Sequence, residues 1–210
     1  MTKLFFVNHL INTTGLLSFN LETIKLVIAL LLLFVTVLLT CITVMLFSYI
    51  LNVNKDDHVG YLPSSLKAVK DPIRQIISIY VGEDKTKDYT LVEPGAGAAN
   101  VSYFLSQKYK WKQVLAIEDE ISLVWYSKLK NLFRKKPVSL VKANIFNYSF
   151  PTKSVVYCYL LSEMLAKLYE QGQLAGSLVI SLSFPLKKAE PTEVFELSGF
   201  QKYLYVYDFR

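Results

Sequence analysis

The longest apolar run of the chain lies near its N-terminus. Residues 26–51 include no charged side chain over 26 positions. As a helix this stretch would be about 39 Å long, whereas the hydrocarbon core of a bilayer is about 30 Å thick. The run therefore predicts a transmembrane helix over 26–51. The leader before it, residues 1–25, has no assigned function.

A buried soluble helix and a cleavable signal peptide are the alternatives to a membrane span. The only weakly polar breaks in the run are Thr36, Thr40, Thr43 and Ser48. That is few for a soluble helix of this length. A signal peptide has a shorter apolar region and a small-residue cleavage site, neither of which is found here. The membrane span is therefore preferred.

After the span, the pattern changes to alternating helix-type and strand-type segments. Gly60 and Pro63 mark residues 52–65 as a linker and domain entrance. A cap at Ser64 or Ser65 begins a predicted helix that runs to about residue 80 and covers the sheet. Its apolar face consists of Leu66, Val69, Ile73, Ile76 and Ile77. Later strands are predicted at 89–93, 113–118, 138–142, 154–159, 177–183 and 202–207, and helices at 98–108, 122–133 and 162–171. This alternation predicts an α/β domain over residues 66–210.

A glycine turn joins the first predicted strand to the next helix, in the sequence YTLVEPGAGAAN at residues 89–100. Gly95 and Gly97 are able to adopt backbone angles closed to other residues. The helix that follows directs its N-terminus towards an anionic group above this loop. A dinucleotide fingerprint requires glycine or alanine where Asn100 stands. The spacing of Glu93, Gly95 and Gly97 instead resembles motif I of class I S-adenosylmethionine (AdoMet) methyltransferases, although an ordinary strand-to-helix turn is the alternative from this stretch alone.

A second acidic residue follows at the end of the next predicted strand. Glu118 lies 21 residues after Gly97 in the sequence. A parallel neighbouring strand would place its carboxylate beside the same crevice, where it would accept hydrogen bonds from ribose hydroxyls. Asp119 and Glu120 are interpreted as acids of a helix start, and the same interpretation is the alternative for Glu118.

The charge of the chain is mildly basic. The net charge is +6, and from Lys55 onwards there are 21 Lys and Arg residues against 16 Asp and Glu residues. Basic residues near the span, among them Lys55, Lys67 and Lys70, suit an anionic membrane surface. No patterned basic and aromatic motif for nucleic acid appears. We therefore expect a lipid bilayer as a partner and no nucleic acid.

Charges on the two sides of the span predict its orientation. Within about 20 residues of the span, Lys25 stands alone on the N-terminal side, against Lys55, Lys67 and Lys70 on the other. This distribution favours a single-pass protein with its C-terminal domain on the cytoplasmic side. Cys41 in the span and Cys158 in a predicted strand do not suggest a structural disulfide.

No metal site is predicted from the sequence. His9 has no candidate partner ligand near it in the leader. Asp56, Asp57 and His58 are adjacent on the linker, where such residues are much more often only solvated.

Several segments together resemble one family of enzymes. They are GYLPSS at 60–65, LVEPGAGAAN at 91–100, DEISLVWYSKLKNLFR at 119–134, SVVYCYLLSEM at 154–164, SLSFP at 181–185 and the closing YVYDF. These segments are similar to the membrane-anchored seven-strand protein lysine methyltransferases that modify the ATP synthase c subunit and the adenine nucleotide translocase. The most specific part is 123–127, which includes Trp125 and Tyr126; the alternative is that these are core aromatics of an ordinary helix. The resemblance implies a Rossmann-like class I methyltransferase domain with a central, mostly parallel seven-stranded sheet.

The resemblance also implies roles for particular residues. Glu93, Gly95 and Gly97 would frame the methionine portion of AdoMet, Glu118 would hold the ribose, and Asn144 would lie near the adenine. Relatives often have an acid at the position of Asn144, and an amide is able to accept or donate a hydrogen bond there. Candidate residues on the acceptor side are Tyr61, Tyr159, Ser162 and Glu163, with helix capping or support of neighbours as the alternative for each.

The predicted function is AdoMet-dependent methylation of a lysine in a membrane-associated protein. A lipid or small-molecule methyltransferase would use the same cofactor half and the same anchor. A catalytically silent membrane scaffold of the same fold is a further alternative, because Asn144 and the residues after the fourth strand depart from the family pattern.

Overall fold

The computed structural model describes residues 21–53, 64–136 and 138–210. The chain divides into two compact units, Met1–His58 and Val59–Arg210.

In the first unit, a continuous helix, α1, covers Leu21–Val53. Its residues Glu22–Phe47 are long and apolar enough to cross a membrane, a test of length and composition that a signal sequence near an N-terminus also passes. The hydroxyls of Thr36, Thr40 and Thr43 each donate to the carbonyl oxygen four residues earlier at 2.8 Å. These polar side chains are thereby satisfied within the helix, as a lipid environment requires.

The second unit alternates strands and helices. Its strands are β1 (Thr90–Pro94), β2 (Gln113–Glu118), β3 (Ser139–Lys142), β4 (Ser154–Cys158), β5 (Ser177–Leu182), β6 (Glu193–Glu196) and β7 (Tyr203–Asp208). Its α-helices are α2 (Leu66–Tyr80), α3 (Asn100–Lys108), α4 (Ile121–Leu132) and α5 (Ser162–Glu170). Short 3-10 helices cover Glu83–Asp88 and Ile145–Asn147.

The seven strands form one sheet in the order β3-β2-β1-β4-β5-β7-β6. Strands β1 to β5 pair in parallel. Strand β7 is antiparallel to both of its neighbours, β5 and β6. The prediction of a mostly parallel seven-stranded sheet is confirmed.

Successive residues of the central strands supply two separate cores, one on each face of the sheet. Leu91 of β1 packs into a core that includes α2 and α3, whereas the next residue, Val92, packs into a core that includes α5. This alternation follows from the period of two of a strand whose two faces are both covered. Helix α2 buries Val69, Ile73, Ile76 and Ile77, as its spacing predicts.

One strand was not located from the sequence. The predicted segments leave β6, at 193–196, within a connection between two strands. Its residues are all partly or fully exposed, and it has four residues at the edge of the sheet. Such a short, half-polar segment carries little apolar periodicity of its own, because its pairing with β7 forms it.

Candidate functional site

The sheet changes direction between β1 and β4. From β1 the chain continues outwards through β2 and β3, whereas β4 begins on the other side of β1 and leads to β5. A crevice opens at the carboxyl ends of the strands at such a point. Here such a crevice is present and partly open to solvent. Its lining is formed by Ser64, Glu93, Pro94, Gly95, Ala96, Asn100, Val101, Tyr157 and Tyr159.

The glycine turn forms one wall of this crevice. Gly95 has a φ of +67° and Gly97 a φ of +52°, in the left-handed region that favours glycine. A Cβ atom on Gly95 would lie 2.8 Å from Cδ2 of Leu160, closer than carbon atoms approach without one of them moving. Glycine is therefore favoured at position 95 by its backbone angle, and an added Cβ would also require the Leu160 side chain to move.

Glu93 lies at the end of β1, with only 6% of its surface exposed. Its carboxylate accepts a hydrogen bond from the backbone N–H of Ser102, at 2.8 Å, in the first turn of α3. Burial raises the pKa of Glu93 to about 7, and the charge of Glu118 adds to the shift, while the hydrogen bonds from Ser102 and the charge of Lys130 oppose it. The acidic group at the N-terminus of α3 is thus the side chain of Glu93, a residue of the chain itself.

Glu118 ends β2 and reaches the same glycine turn. One carboxylate oxygen accepts from the N–H of Gly97 at 2.7 Å. The other oxygen accepts from the N–H groups of Asp119 and Glu120, at 2.9 and 2.8 Å. An ionised carboxylate has about four acceptor positions, so these contacts leave little free capacity. A ribose diol that binds both oxygens would have to replace at least one backbone contact.

Asn144 follows β3, beside the strand that carries Glu118. Its side-chain oxygen accepts from the N–H of Phe146 at 2.9 Å and caps the 3-10 helix there. The backbone N–H of Ala143 donates to the carbonyl oxygen of Glu118 at 3.1 Å. Since the Asn144 oxygen is engaged, its amide N–H groups are the part suited to meet a ligand.

The acceptor-side candidates are not gathered at one place. Tyr159 lines the crevice and stacks on Phe184, with ring centroids 5.6 Å apart. Ser162 is buried in the first turn of α5. Glu163 is exposed and forms an ion pair with Lys187 at 2.5 Å, and the hydrogen bond from Lys187 lowers the pKa of Glu163. Tyr61 lies outside the described residues.

Three further contacts at the site were not predicted from the sequence. The Tyr157 hydroxyl donates to the Ser64 Oγ at 3.0 Å, which joins β4 to the segment before α2 at the base of the crevice. The Ser127 hydroxyl donates to the carbonyl oxygen of Gly97 at 3.0 Å. Lys130 donates to the carbonyl oxygen of Ala98 at 3.1 Å. Helix α4 thereby holds the glycine turn, and no local sequence signal marks contacts between residues about thirty positions apart.

Within residues 21–53, 64–136 and 138–210, no three His, Cys, Asp or Glu side chains group in a way that could hold a metal ion.

Comparison with solved structures identifies the fold of the domain. No protein-family model matches the chain, and no curated protein matches its sequence. An RNA methyltransferase from Salinibacter ruber in complex with S-adenosyl-L-homocysteine matches with a TM-score of 0.56 and 19% identity, over 70% of this chain and 92% of that chain. The domain has the class I methyltransferase fold.

Other proteins with this fold carry different descriptions. Magnesium protoporphyrin IX methyltransferase from Synechocystis PCC 6803, with bound SAM, matches the methyltransferase-fold domain with a TM-score of 0.50 and 13% identity, over 76% of this chain and 88% of that chain. A ribosomal protein L11 methylase from Lactobacillus delbrueckii subsp. bulgaricus matches with a TM-score of 0.50 and 11% identity, over 63% of this chain and 76% of that chain. Because these proteins are named for unlike acceptors, the fold does not determine the acceptor.

Proposed function

We propose that this chain is an AdoMet-dependent methyltransferase attached to a membrane by α1, and that its acceptor is a lysine of a membrane-associated protein. The observation that carries the proposal is the meeting of Glu93, Gly95 and Glu118 at the crevice and glycine turn of a class I methyltransferase fold. A fold of this kind binds its ligand at that edge of the sheet.

The residues present suit the parts of AdoMet. Gly95 keeps the wall of the crevice free of a side chain. Glu93, buried beside it, offers a carboxylate to the ammonium group of the methionine portion. Glu118 offers carboxylate oxygens to the ribose hydroxyls, which would replace at least one of its backbone contacts. The amide N–H groups of Asn144 offer donors to a ring nitrogen of adenine.

AdoMet supplies a methyl group already activated on a sulfonium. The protein then has to align the acceptor with it and provide the acceptor in its neutral form. For a lysine with an ordinary pKa near 10.4, the neutral form costs about 4 to 5 kcal/mol at pH 7. A low-dielectric channel reduces that cost. Tyr159, which lines the crevice, is the proposed wall of this channel.

Membrane attachment supports the choice of acceptor. A tether confines the site to the bilayer surface and raises the effective concentration of targets in the same membrane. The resemblance to lysine methyltransferases of membrane proteins points in the same direction. The lysines near the span, Lys55, Lys67 and Lys70, favour a cytoplasmic domain.

Cofactor binding is the first test. Calorimetry on the full chain in a non-ionic detergent should show AdoMet binding, and Glu118→Ala should weaken it at least tenfold. Absence of binding to the wild type would remove every enzymatic interpretation and favour a silent scaffold.

The acceptor is tested separately. Membranes that contain the full chain are incubated with methyl-labelled AdoMet, and protein, lipid and RNA are then separated. Label in protein, recovered as methyllysine after hydrolysis, is the expected result. Label only in lipid or only in RNA would refute the lysine acceptor while keeping the methyltransferase.

A further inference from the structure

Helix α4 carries large apolar side chains on its outer side. Four of them stand at positions 121, 125, 129 and 132. At 100° per residue, they lie within an arc of about 80° around the helix axis. Trp125 is 65% exposed and Leu132 is 78% exposed. With the following residue, the apolar face of α4 consists of Ile121, Trp125, Leu129, Leu132 and Phe133, all of them exposed. Trp125 is therefore not the core aromatic of an ordinary helix.

The inner side of α4 has a different composition. Its buried residues are Val124 and Ser127, both smaller than the residues on the apolar face. Ser127 holds the glycine turn, as described above. An ordinary surface helix has its large apolar residues inside and its polar residues outside. In α4 the large apolar residues are outside and the small ones inside. This arrangement is typical of a helix whose exposed apolar face contacts another surface.

Positive charges lie beside this apolar face and just beyond the helix, although Lys130 contacts the glycine turn instead. Residues 121–136 contain five Lys or Arg residues and no Asp or Glu residue. The Lys128 ammonium lies 5.7 Å from the centre of the Trp125 ring. Arg134, Lys135 and Lys136 are exposed just beyond the end of the helix. Tryptophan with lysine at the edge of an apolar helix face is typical of helices that lie in a membrane interface.

We propose that the apolar face of α4 lies on an anionic membrane surface and forms a second contact with the bilayer, in addition to α1. This inference rests on the membrane attachment in the proposed function. Because one chain carries both elements, α1 brings the domain to the bilayer at high effective concentration, and a weak interfacial contact is then sufficient. The wholly basic charge of residues 121–136 matches anionic headgroups.

The consequence for the enzyme is a fixed orientation of its site. Helix α4 begins three residues after Glu118 and holds the glycine turn through Ser127 and Lys130. When α4 lies on the bilayer, the crevice is held at a set angle and height relative to targets in the membrane.

Tryptophan fluorescence tests this contact, since the chain has two tryptophans. Trp111 packs against the core and donates to the carbonyl oxygen of Leu105 at 3.1 Å, whereas Trp125 is exposed. The full chain is placed in nanodiscs of phosphatidylcholine and phosphatidylglycerol with brominated acyl chains. In the Trp111→Phe variant, Trp125 emission should shift to shorter wavelength, and bromine should quench it several-fold more than Trp111 emission in the matched Trp125→Phe variant. Equal quenching in the two variants would overturn the proposal.

Charge variants test the lipid preference. Nanodiscs that contain phosphatidylglycerol should quench Trp125 more than nanodiscs of phosphatidylcholine alone. The Lys128→Glu/Lys135→Glu variant should lose most of this difference. The control is Lys85→Glu/Lys87→Glu, which makes the same change of net charge at exposed positions away from α4. An equal loss in the control, or none in either variant, would overturn the proposal. A short-wavelength Trp125 emission that persists without lipid, together with a dimeric mass, would show that a second copy covers this face instead.

AdoMet binding in the same nanodiscs separates the two proposals. Binding without Trp125 quenching refutes the α4 contact alone. Quenching without AdoMet binding refutes the methyltransferase alone.

Discussion

Glu93 has a buried carboxyl group whose pKa is raised to about 7. Because this value lies above the 4.5 expected for an unfolded chain, the folded state holds the proton more tightly. The contribution of Glu93 to the free energy of unfolding is then full below pH 4.5 and is lost as the pH rises to 7 and above. The loss amounts to about 3 kcal/mol by the size of the shift.

Glu93→Gln is expected to remove this pH dependence. Glutamine keeps an oxygen that accepts from the Ser102 N–H but carries no charge at any pH. Thermal unfolding of the full chain from about pH 5 to about pH 8 should show the variant gaining stability relative to the wild type as the pH rises. Parallel pH curves for the two proteins would contradict the raised pKa.

A side chain at position 95 is expected to destabilise the domain. Gly95→Ala meets Leu160 and also places alanine at a φ of +67°, which costs about 1 to 2 kcal/mol by itself. Gly176→Ala is the matched control, because Gly176 has a φ of +70° with no atom within 4 Å of the added Cβ. The melting temperature should fall further for Gly95→Ala than for Gly176→Ala, and AdoMet affinity should fall only for the former. Equal effects on both measurements would show that the contact with Leu160 is unimportant.

At the scale of elements, the site depends on how α4 holds the turn between β1 and α3. The buried Ser127 hydroxyl bonds the Gly97 carbonyl oxygen, and no residue of the turn itself marks that contact. Loss of one such hydrogen bond costs about 1 kcal/mol. Ser127→Ala is therefore expected to lower AdoMet affinity about fivefold.

Ser106→Ala is the control for this prediction. Ser106 is also buried and donates to a carbonyl oxygen, that of Tyr103 at 2.9 Å, but within α3 and away from the turn. Calorimetry should show unchanged AdoMet affinity for this variant. If both variants bind AdoMet as the wild type does, α4 does not position the turn.

The α-helices of the domain and six of its strands follow from local pattern. Their predicted ends agree with the structure to within two residues, because each of these elements carries apolar residues at the spacing of a helix or a strand. Strand β6 lacks such spacing, and its pairing with β7 alone forms it. The same reason explains why Glu93 and Glu118 were predicted as site residues, while Ser127 and Lys130 were missed: only the first two belong to a local motif.

At the scale of the whole molecule, the proposed location of the protein depends on α1. If α1 is a membrane anchor, the chain in its native cell keeps residues 1–53 and stays in the membrane after alkaline extraction. N-terminal sequencing and fractionation measure both properties. A shortened chain in the soluble fraction would identify α1 as a signal sequence and would remove the membrane from the proposed function.

The sequence alone determined the apolar helix, the α/β alternation and the two acids beside a glycine turn, because each depends on residues close together in the chain. The tertiary structure alone decided that Glu93 and Glu118 meet at the glycine turn. It also decided that Glu163 forms a surface ion pair and that α4 turns its apolar side outwards. Burial, charge interaction and exposure depend on which distant segments pack together, and no local pattern contains that information.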